Sequence, residues 1–249
     1  HTKAIVDASF SPDGTAIATA SLDGFVKFFQ VYMQDQATPK CLHEWKPHDG
    51  KPVSSLFFLD DHKQPNPEVQ FWKYAITGAE NNQELRVWSC ETWSCLQTIR
   101  FMAPPNSQLR PCIKASIDLS SNYLLLSDIN RKALYILNIN QDADAGKASF
   151  TAVSEFLLTQ PCLSLAIVHA GRHRYRKGMA DSTDIGGMTT GEIDNDDEEE
   201  VPREANGPDI GVRVKVYSVH TRALQELRIR YQEEDSLSRL PPLSHTSST

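Results

Sequence analysis

The sequence predicts an all-β protein made of consecutive four-stranded antiparallel units, the arrangement of a β-propeller. Short runs rich in β-branched and aromatic residues alternate with clusters of turn residues along the chain. These runs recur in blocks close to the roughly 40–45 residues of one propeller blade. No apolar stripe with a period of 3.6 residues persists through any segment, so the pattern argues against a helical fold.

The first unit, residues 1–45, shows the pattern most clearly. A Ser-Pro-Asp-Gly turn occupies 11–14, where Pro presets φ and Gly tolerates a positive φ. Asp23 and Gly24 form a second tight turn of the kind that joins hairpin strands. The predicted strands of this unit are residues 5–10, 15–20, 25–29 and 41–45.

Three further units repeat this order. The second, 48–101, has predicted strands at 53–59, 74–79, 84–89 and 95–101. The third, 113–158, has them at 113–119, 123–127, 133–139 and 149–156. The fourth, 161–231, has them at 162–168, 212–218 and 223–229, with a long insertion. The predicted third strands are aligned on Phe29, Trp88, Leu137 and Tyr217, which are 59, 49 and 80 residues apart; without the 41 residues of the insert at 171–211 the last spacing is 39.

Residues 171–211 interrupt the fourth unit and are predicted to be a disordered acidic insert. They carry 11 acidic and 5 basic residues, which leaves 21 acidic and 20 basic residues in the rest of the chain. The near-neutral body does not favour strong non-specific nucleic-acid binding. The basic stretch at 172–177 could contact RNA, although a solvated loop is the simpler interpretation. Residues 232–249, rich in Ser and Pro, are predicted to be a disordered linker.

The first two units resemble WD repeats, and the resemblance implies a buried hydrogen-bond relay in each. It joins a His before the first strand to a Ser or Thr in the second, an Asp in the tight turn and a Trp in the third. The matching residues of the first unit are His1, Thr19 and Asp23, with Phe29 in place of Trp. Those of the second unit are His48, Thr77, Asn82 and Trp88. Buried polar groups of this kind need partners, so a relay helps to specify the fold.

This relay, together with the phrase Phe-Ser-Pro-Asp-Gly, is typical of WD repeats. The segments AIVDASFSPDG (4–14), WKPHDGKPVSSLFF (45–58) and NNQELRVWS (81–89) resemble the WD-repeat propeller of the enhancer of mRNA decapping, or Hedls, family. The resemblance thins across the insert and returns at 219–225. It implies a scaffold of cytoplasmic processing bodies that brings the decapping activator and the decapping hydrolase together. It also implies a partial propeller here, about four blades of a larger one that commonly has seven.

The sequence contains no catalytic motif, and no catalytic residues, metal ligands, cofactors or small-molecule substrate are predicted. His48 with Asp49, and His62 near Asp60, could act in acid–base chemistry, but a relay histidine and a solvated loop explain them better. The five cysteines are widely spaced, which favours reduced thiols. No stretch of the given sequence is long and apolar enough to cross a membrane, and its first residues are not predicted to be a secretory signal. The four tryptophans are interpreted as core rather than as a ligand cage.

The leading prediction is therefore a non-catalytic scaffold with protein partners, which would be subunits of the decapping complex. The alternatives are an adaptor or substrate receptor in another assembly, and a direct RNA-binding module. Loops before the first strands and between the second and third strands usually line one propeller face. On this basis the possible partner-binding residues are Lys3, Lys51, Asn81, Arg131 and Lys132.

Overall fold

The computed structural model describes residues 1–31, 40–63, 71–103, 109–142, 145–174, 199–202, 207 and 210–232. All regular structure in this part of the chain is β-strand. The prediction of an all-β fold is confirmed. The described residues include no helix that is long and apolar enough to span a membrane.

The strands form four sheets of four strands each. The first contains β1 (Ile5–Phe10), β2 (Ala16–Ser21), β3 (Val26–Gln30) and β4 (Cys41–Trp45). The second contains β5 (Val53–Phe58), β6 (Tyr74–Ala79), β7 (Glu84–Ser89) and β8 (Cys95–Arg100). The third contains β9 (Ile113–Ile117), β10 (Tyr123–Asp128), β11 (Ala133–Asp142) and β12 (Lys147–Leu157). The fourth contains β13 (Ser164–Arg174), β14 (Glu199–Glu200), β15 (Ile210–Val219) and β16 (Leu224–Tyr231).

Apolar clusters fill the spaces between successive sheets. The first and second sheets enclose Phe28, Trp45, Phe58, Trp72 and Trp88. The second and third enclose Ile76, Leu85, Leu124, Leu126 and Leu137. The third and fourth enclose Leu125, Ile136, Val212, Val214 and Val216. Each sheet is thus stabilised by its neighbours, as in other repeat arrays. Within the described residues no buried cluster joins the fourth sheet to the first, which is the arrangement of a partial propeller.

The turns of the first sheet explain why its strands begin and end where they do. Asp13 accepts hydrogen bonds from Ser11 Oγ at 2.6 Å and from the Thr15 amide at 3.0 Å, which closes the β1–β2 turn. Gly24, in the β2–β3 turn, has a φ of 86°. A Cβ at Gly24 would lie 2.6 Å from the carbonyl oxygen of Gly50. Glycine at this position therefore allows the loop before β5 to pack directly against the first sheet.

The fourth sheet differs from the prediction in its strand order. We expected 212–218 to be a third strand, with Tyr217 aligned to Trp88, and 223–229 to be the outer strand. Instead β13 pairs directly with β15. Strand β13 contacts β9 and β10 of the third sheet in the same way that β5, the first strand of the second sheet, contacts β1 and β2 of the first sheet. Strands β15 and β16 therefore occupy the second and third positions. Alternating valines fix which face of β15 is buried, but they do not fix its place in the sheet.

The predicted boundaries of the acidic insert are also too wide. Residues 171–174 belong to β13 and 210–211 to β15, because these two segments continue the same hairpin ladder. Glu199–Glu200 forms β14, which pairs with the end of β13. The rest of the predicted insert, apart from residues 201–202 and 207, lies outside the described residues, as do residues 233–249 of the predicted linker.

The hairpin of β11 and β12 extends further than predicted and lies against the second sheet. A register shift between Asn138 and Ile139 interrupts its ladder. Near this shift, the Gln97 side chain forms two hydrogen bonds with the backbone of Phe150. Its amide donates to the Phe150 carbonyl oxygen at 3.2 Å and accepts from the Phe150 amide at 2.7 Å. One side chain of β8 thus fixes the extended hairpin.

Candidate interaction surface

The first sheet brings together the three residues of its predicted relay. His1 Nδ1 lies 3.0 Å from Asp23 Oδ2, and His1 Nε2 lies 2.9 Å from Thr19 Oγ1. The Asp23 carboxylate also accepts the backbone amides of Thr2 and Phe25. Burial raises the pKa of Asp23, but these hydrogen bonds outweigh that effect and lower it. Phe29 lies at the register of Trp88 and has no N–H to extend the relay.

The second sheet contains a longer relay. Trp88 Nε1 donates to Thr77 Oγ1 at 2.9 Å, and Thr77 Oγ1 lies 2.8 Å from His48 Nε2. His48 Nδ1 lies 3.0 Å from Glu84 Oε1. A carboxylate can only accept, so His48 donates from Nδ1 and accepts the Thr77 hydroxyl proton at Nε2. Each donor in this relay has one acceptor. A neutral His48 imidazole is sufficient to form all of these hydrogen bonds.

Asn82 does not occupy the acidic position of this relay, contrary to the prediction. Glu84 occupies it instead, because its longer side chain reaches His48 from the start of β7. Asn82 faces the inner strands: its Oδ1 accepts from Ser55 Oγ at 2.7 Å, and its Nδ2 donates to the Ile113 carbonyl oxygen at 3.0 Å.

The backbone of the β6–β7 turn explains this exchange. Glu80, Asn81 and Asn82 all have positive φ values, of 54°, 57° and 60°. Asparagine tolerates this left-handed region better than most residues. The turn therefore directs the Asn82 amide toward the third sheet and leaves the acidic position to Glu84. The sequence contains a signal for Glu84, because it is the one carboxylate of the strand ELRVWS and stands at its first position.

Glu84 is the centre of a buried group of charges. Its side chain is 3% exposed, and it contacts Arg86 Nε at 2.9 Å and Arg100 Nε at 2.8 Å as well as His48. Burial by itself raises the pKa of Glu84, but the hydrogen bonds from His48 and Arg100 and the charge of Arg86 lower it to about 2. Burial lowers the pKa of His48. At neutral pH the pair is therefore a carboxylate and a neutral imidazole.

The fourth sheet has a different polar link, which the sequence analysis missed. Ser218 Oγ lies 3.1 Å from His220 Nε2, and His220 Nδ1 lies 2.9 Å from the Pro161 carbonyl oxygen. Both side chains are buried. The link joins the β15–β16 turn to the loop before β13.

The third sheet has Leu137 at the position that Trp88 occupies in the second sheet. Leu137 is fully buried.

The predicted partner-binding residues lie in loops that contact one another at one end of the sheets. Ser21 Oγ donates to the Lys3 carbonyl oxygen, and Lys51 Nζ lies 3.0 Å from Glu80 Oε2. The Ile113 amide donates to the Asn81 carbonyl oxygen. We call this end the loop face. It is defined by residues 1–4, 22–25, 46–52, 80–83, 100–103, 109–112 and 129–132.

The loop face continues across the third sheet. Asn130 Nδ2 donates to the Arg110 carbonyl oxygen at 2.7 Å, and Arg131 Nη2 donates to the Met102 carbonyl oxygen at 2.9 Å. The Leu158 amide donates to the Lys132 carbonyl oxygen. Together with the close approach of Gly24 to Gly50, these contacts link the loops from the first sheet to the end of the third. All five predicted partner-binding residues therefore belong to one continuous surface.

The two ends of the first three sheets have opposite charge. The loop face has seven lysine and arginine residues and three acidic residues, a net charge of +4. The basic residues are Lys3, Lys46, Lys51, Arg100, Arg110, Arg131 and Lys132. The opposite end, formed by residues 11–15, 31, 40, 59–63, 71–73, 90–94, 118–122, 142 and 145–147, has six acidic and four basic residues, a net charge of −2.

The remaining candidate groups show no catalytic arrangement among the described residues. Burial raises the pKa of the Cys90 thiol to about 12, so it is a poor nucleophile at neutral pH. His169 and His173 face each other with their Nε2 atoms 2.8 Å apart, near a cleft of about 420 Å³. Within the described part of the chain, no group of three or more His, Cys, Asp or Glu residues could hold a metal ion.

The four tryptophans pack between the first and second sheets. Trp45 and Trp88 meet edge to face at 4.8 Å, and Trp72 stacks on Phe58 at 4.2 Å. Trp93, in the β7–β8 turn, meets Trp45 at 5.2 Å. These are packing contacts of the core between two sheets.

Comparison with known proteins gives one consistent result. The family model described as the WD40 region of Ge1, enhancer of mRNA-decapping protein, matches residues 1–144. The Enhancer of mRNA-decapping protein 4 of Danio rerio is 45% identical over 253 residues, which cover 98% of this chain and 17% of that protein. The Homo sapiens protein of the same name is 43% identical over 258 residues, which cover 99% of this chain and 18% of that protein.

Among solved structures, the WD40 domain of Toxoplasma gondii coronin is similar to 67% of this chain and 38% of that one. The TM-score is 0.46 and the sequence identity is 10%. The chain spans less than a fifth of the length of the curated relatives it matches.

Proposed function

Because the chain belongs to the WD40 family of the enhancers of mRNA decapping, we propose that it is a non-catalytic platform which binds protein subunits of the decapping machinery. In this role the propeller part would help to bring the decapping activator and the decapping hydrolase together. It would act in cytoplasmic processing bodies. Family membership is the observation that supports this proposal most strongly.

The chemistry of the buried histidines supports a platform rather than an enzyme. His48 uses both ring nitrogens in the relay, and its side chain is fully buried. His1 likewise contacts Asp23 and Thr19 through its two nitrogens. A general base must reach a proton on a bound substrate, and neither buried imidazole is open to a substrate. Both relays serve to hold strands and turns together.

We propose the loop face as the surface that binds partners. It contains Lys3, Lys51, Asn81, Arg131 and Lys132, and hydrogen bonds link its neighbouring loops. Loops that are linked before binding lose less conformational entropy when a partner binds. The relay residues lie directly beneath these loops and keep them in place.

The proposal is tested by purifying the intact protein from cells, with and without residues 1–231, and identifying the proteins that co-purify. We expect decapping subunits with the intact protein and a loss of some of them after the deletion. A parallel measurement of cap removal from a reporter mRNA should show a slower rate for the deletion. Unchanged co-purification and an unchanged rate would contradict the proposal. Recovery of an unrelated assembly would support the adaptor alternative instead.

A further inference from the structure

We propose that the loop face binds an acidic polypeptide segment that also carries aliphatic side chains. This inference rests on the proposed function, since it names the chemistry of the partner that the platform accepts. Three features of the described loop residues support it: the excess of positive charge, the shortage of local carboxylate partners, and the type of exposed apolar side chain.

The positive charge of the loop face is only partly neutralised by its own carboxylates. Asp23 is buried in the first relay, and Glu80 is paired with Lys51. Arg100 and Arg131 are paired with Glu84 and Asp128, which lie at the adjacent strand ends. Among the described residues no carboxylate forms an ion pair with Lys3, Arg110 or Lys132, all of which are exposed. These three residues lie in loops of the first and third sheets, so the unpaired charge is spread over the surface rather than confined to one point. A charge distribution of this kind attracts an extended anionic partner.

Exposed apolar side chains lie among these cations, and all of them are aliphatic. Met102 is 79% exposed, Leu109 58% and Leu22 39%. The aromatic residues of the face are partly buried: Phe25 has the Lys46 ammonium 4.6 Å from its ring centroid, and Phe101 packs on Tyr135 at 5.3 Å. The face therefore offers apolar contact but few flat ring surfaces.

This composition favours an acidic peptide over single-stranded RNA. RNA-binding surfaces combine basic grooves with exposed aromatic rings, and stacking contributes about 1–3 kcal/mol per base. None of the large exposed hydrophobic residues on the loop face is aromatic. An acidic peptide with leucine or methionine side chains would use both the cations and the aliphatic contacts. The opposite end of the sheets, with its net negative charge, would repel the same peptide.

The test uses the intact protein and a fluorescein-labelled peptide in which Glu and Asp alternate with Leu. Its counterpart has Gln and Asn in place of the acids, and a single-stranded RNA of equal length is the third probe. The loop-face variant carries Lys3→Glu, Arg110→Glu and Lys132→Glu. Its matched control carries Lys40→Glu, Lys73→Glu and Lys147→Glu at the opposite end, so both variants have the same net charge.

We expect the acidic peptide to bind the wild type and the control alike, and the loop-face variant at least about tenfold more weakly. Its Kd should rise with salt, and the Gln/Asn peptide should bind more weakly. Equal binding of the two peptides, equal effects of the two variants, or binding of RNA alone would overturn the inference. If the loop-face variant still binds the acidic peptide while deletion of residues 1–231 loses decapping subunits, the platform stands and the assigned partner chemistry does not.

Discussion

Glu84→Gln should destabilise the chain strongly, and mainly at neutral pH. The carboxylate is 3% exposed and contacts His48, Arg86 and Arg100. These contacts lower the pKa of Glu84 from its ordinary value of 4.5 to about 2. At about 1.4 kcal/mol per pKa unit, a lowering of this size corresponds to roughly 3 kcal/mol of folding free energy at pH 7. Glutamine has nearly the same shape as glutamate, so the loss of unfolding free energy measures the contribution of the charge.

The pH dependence distinguishes this explanation from a packing defect. A carboxylate whose pKa is lowered on folding stabilises the folded state above the unfolded pKa, and the stabilisation disappears as the pH falls through the folded pKa. The difference in unfolding free energy between the wild type and Glu84→Gln should therefore decrease from about 3 kcal/mol at pH 7 to about half of that at pH 3. Urea unfolding followed by tryptophan fluorescence at the two pH values measures it.

Glu80→Gln is the matched control for this experiment. Glu80 lies in the turn that precedes β7, but its side chain is 51% exposed and forms an ion pair with the exposed Lys51. Its substitution should change the unfolding free energy by less than about 1 kcal/mol. An equal loss for Glu84→Gln at pH 7 and pH 3, or a loss no larger than that of Glu80→Gln, would refute the argument that the buried charge stabilises the second sheet.

Other substitutions test the packing and the turns. Trp88→Ala should cost about 3–5 kcal/mol in urea unfolding, whereas Phe29→Trp should be tolerated; equal damage would show that the third strands of the two sheets are misaligned. Gly24→Ala should lower the Tm much more than Gly14→Ala, because both have a positive φ but only Gly24 has a backbone neighbour within 3 Å of the added Cβ. Gln97→Glu should cost about 1–3 kcal/mol, because it removes the donor to the hairpin of β11 and β12; no change in urea midpoint would contradict that role. The four-sheet chain on its own should bind a hydrophobic dye, and a sharp melt of a monodisperse monomer would argue against an uncovered inter-sheet face.

Local sequence chemistry determined most of the strands in the first two sheets. The predicted strands at 5–10, 41–45, 74–79 and 84–89 coincide with β1, β4, β6 and β7. Runs of β-branched and aromatic residues bounded by Asp-Gly and Pro-containing turns define such strands locally, since the turns leave few alternatives for the backbone. The relay triad of the first sheet was identified by its match to the pattern of WD repeats.

The tertiary structure decided which acidic residue completes the second relay. Sequence spacing pointed to Asn82, but three consecutive left-handed residues turn that amide toward Ile113 and leave Glu84 beside His48. Backbone handedness in a turn cannot be read from residue types alone, because several residue types adopt the left-handed region only where the surrounding contacts hold them there.

The fourth sheet shows the same limit at a larger scale. Its alternating valines specified a half-buried strand, and the sequence identified that strand correctly. Its neighbours were set by the long-range pairing of β13 with β15 and by the packing of β13 on β9 and β10. The period of a strand determines which side chains face the core, whereas the order of strands depends on contacts between residues distant in the chain. The sequence by itself therefore determined the fold class, most of the strands and the family. Only the tertiary structure determined the strand order of the fourth sheet, the place of Glu84 and the distribution of charge on the loop face.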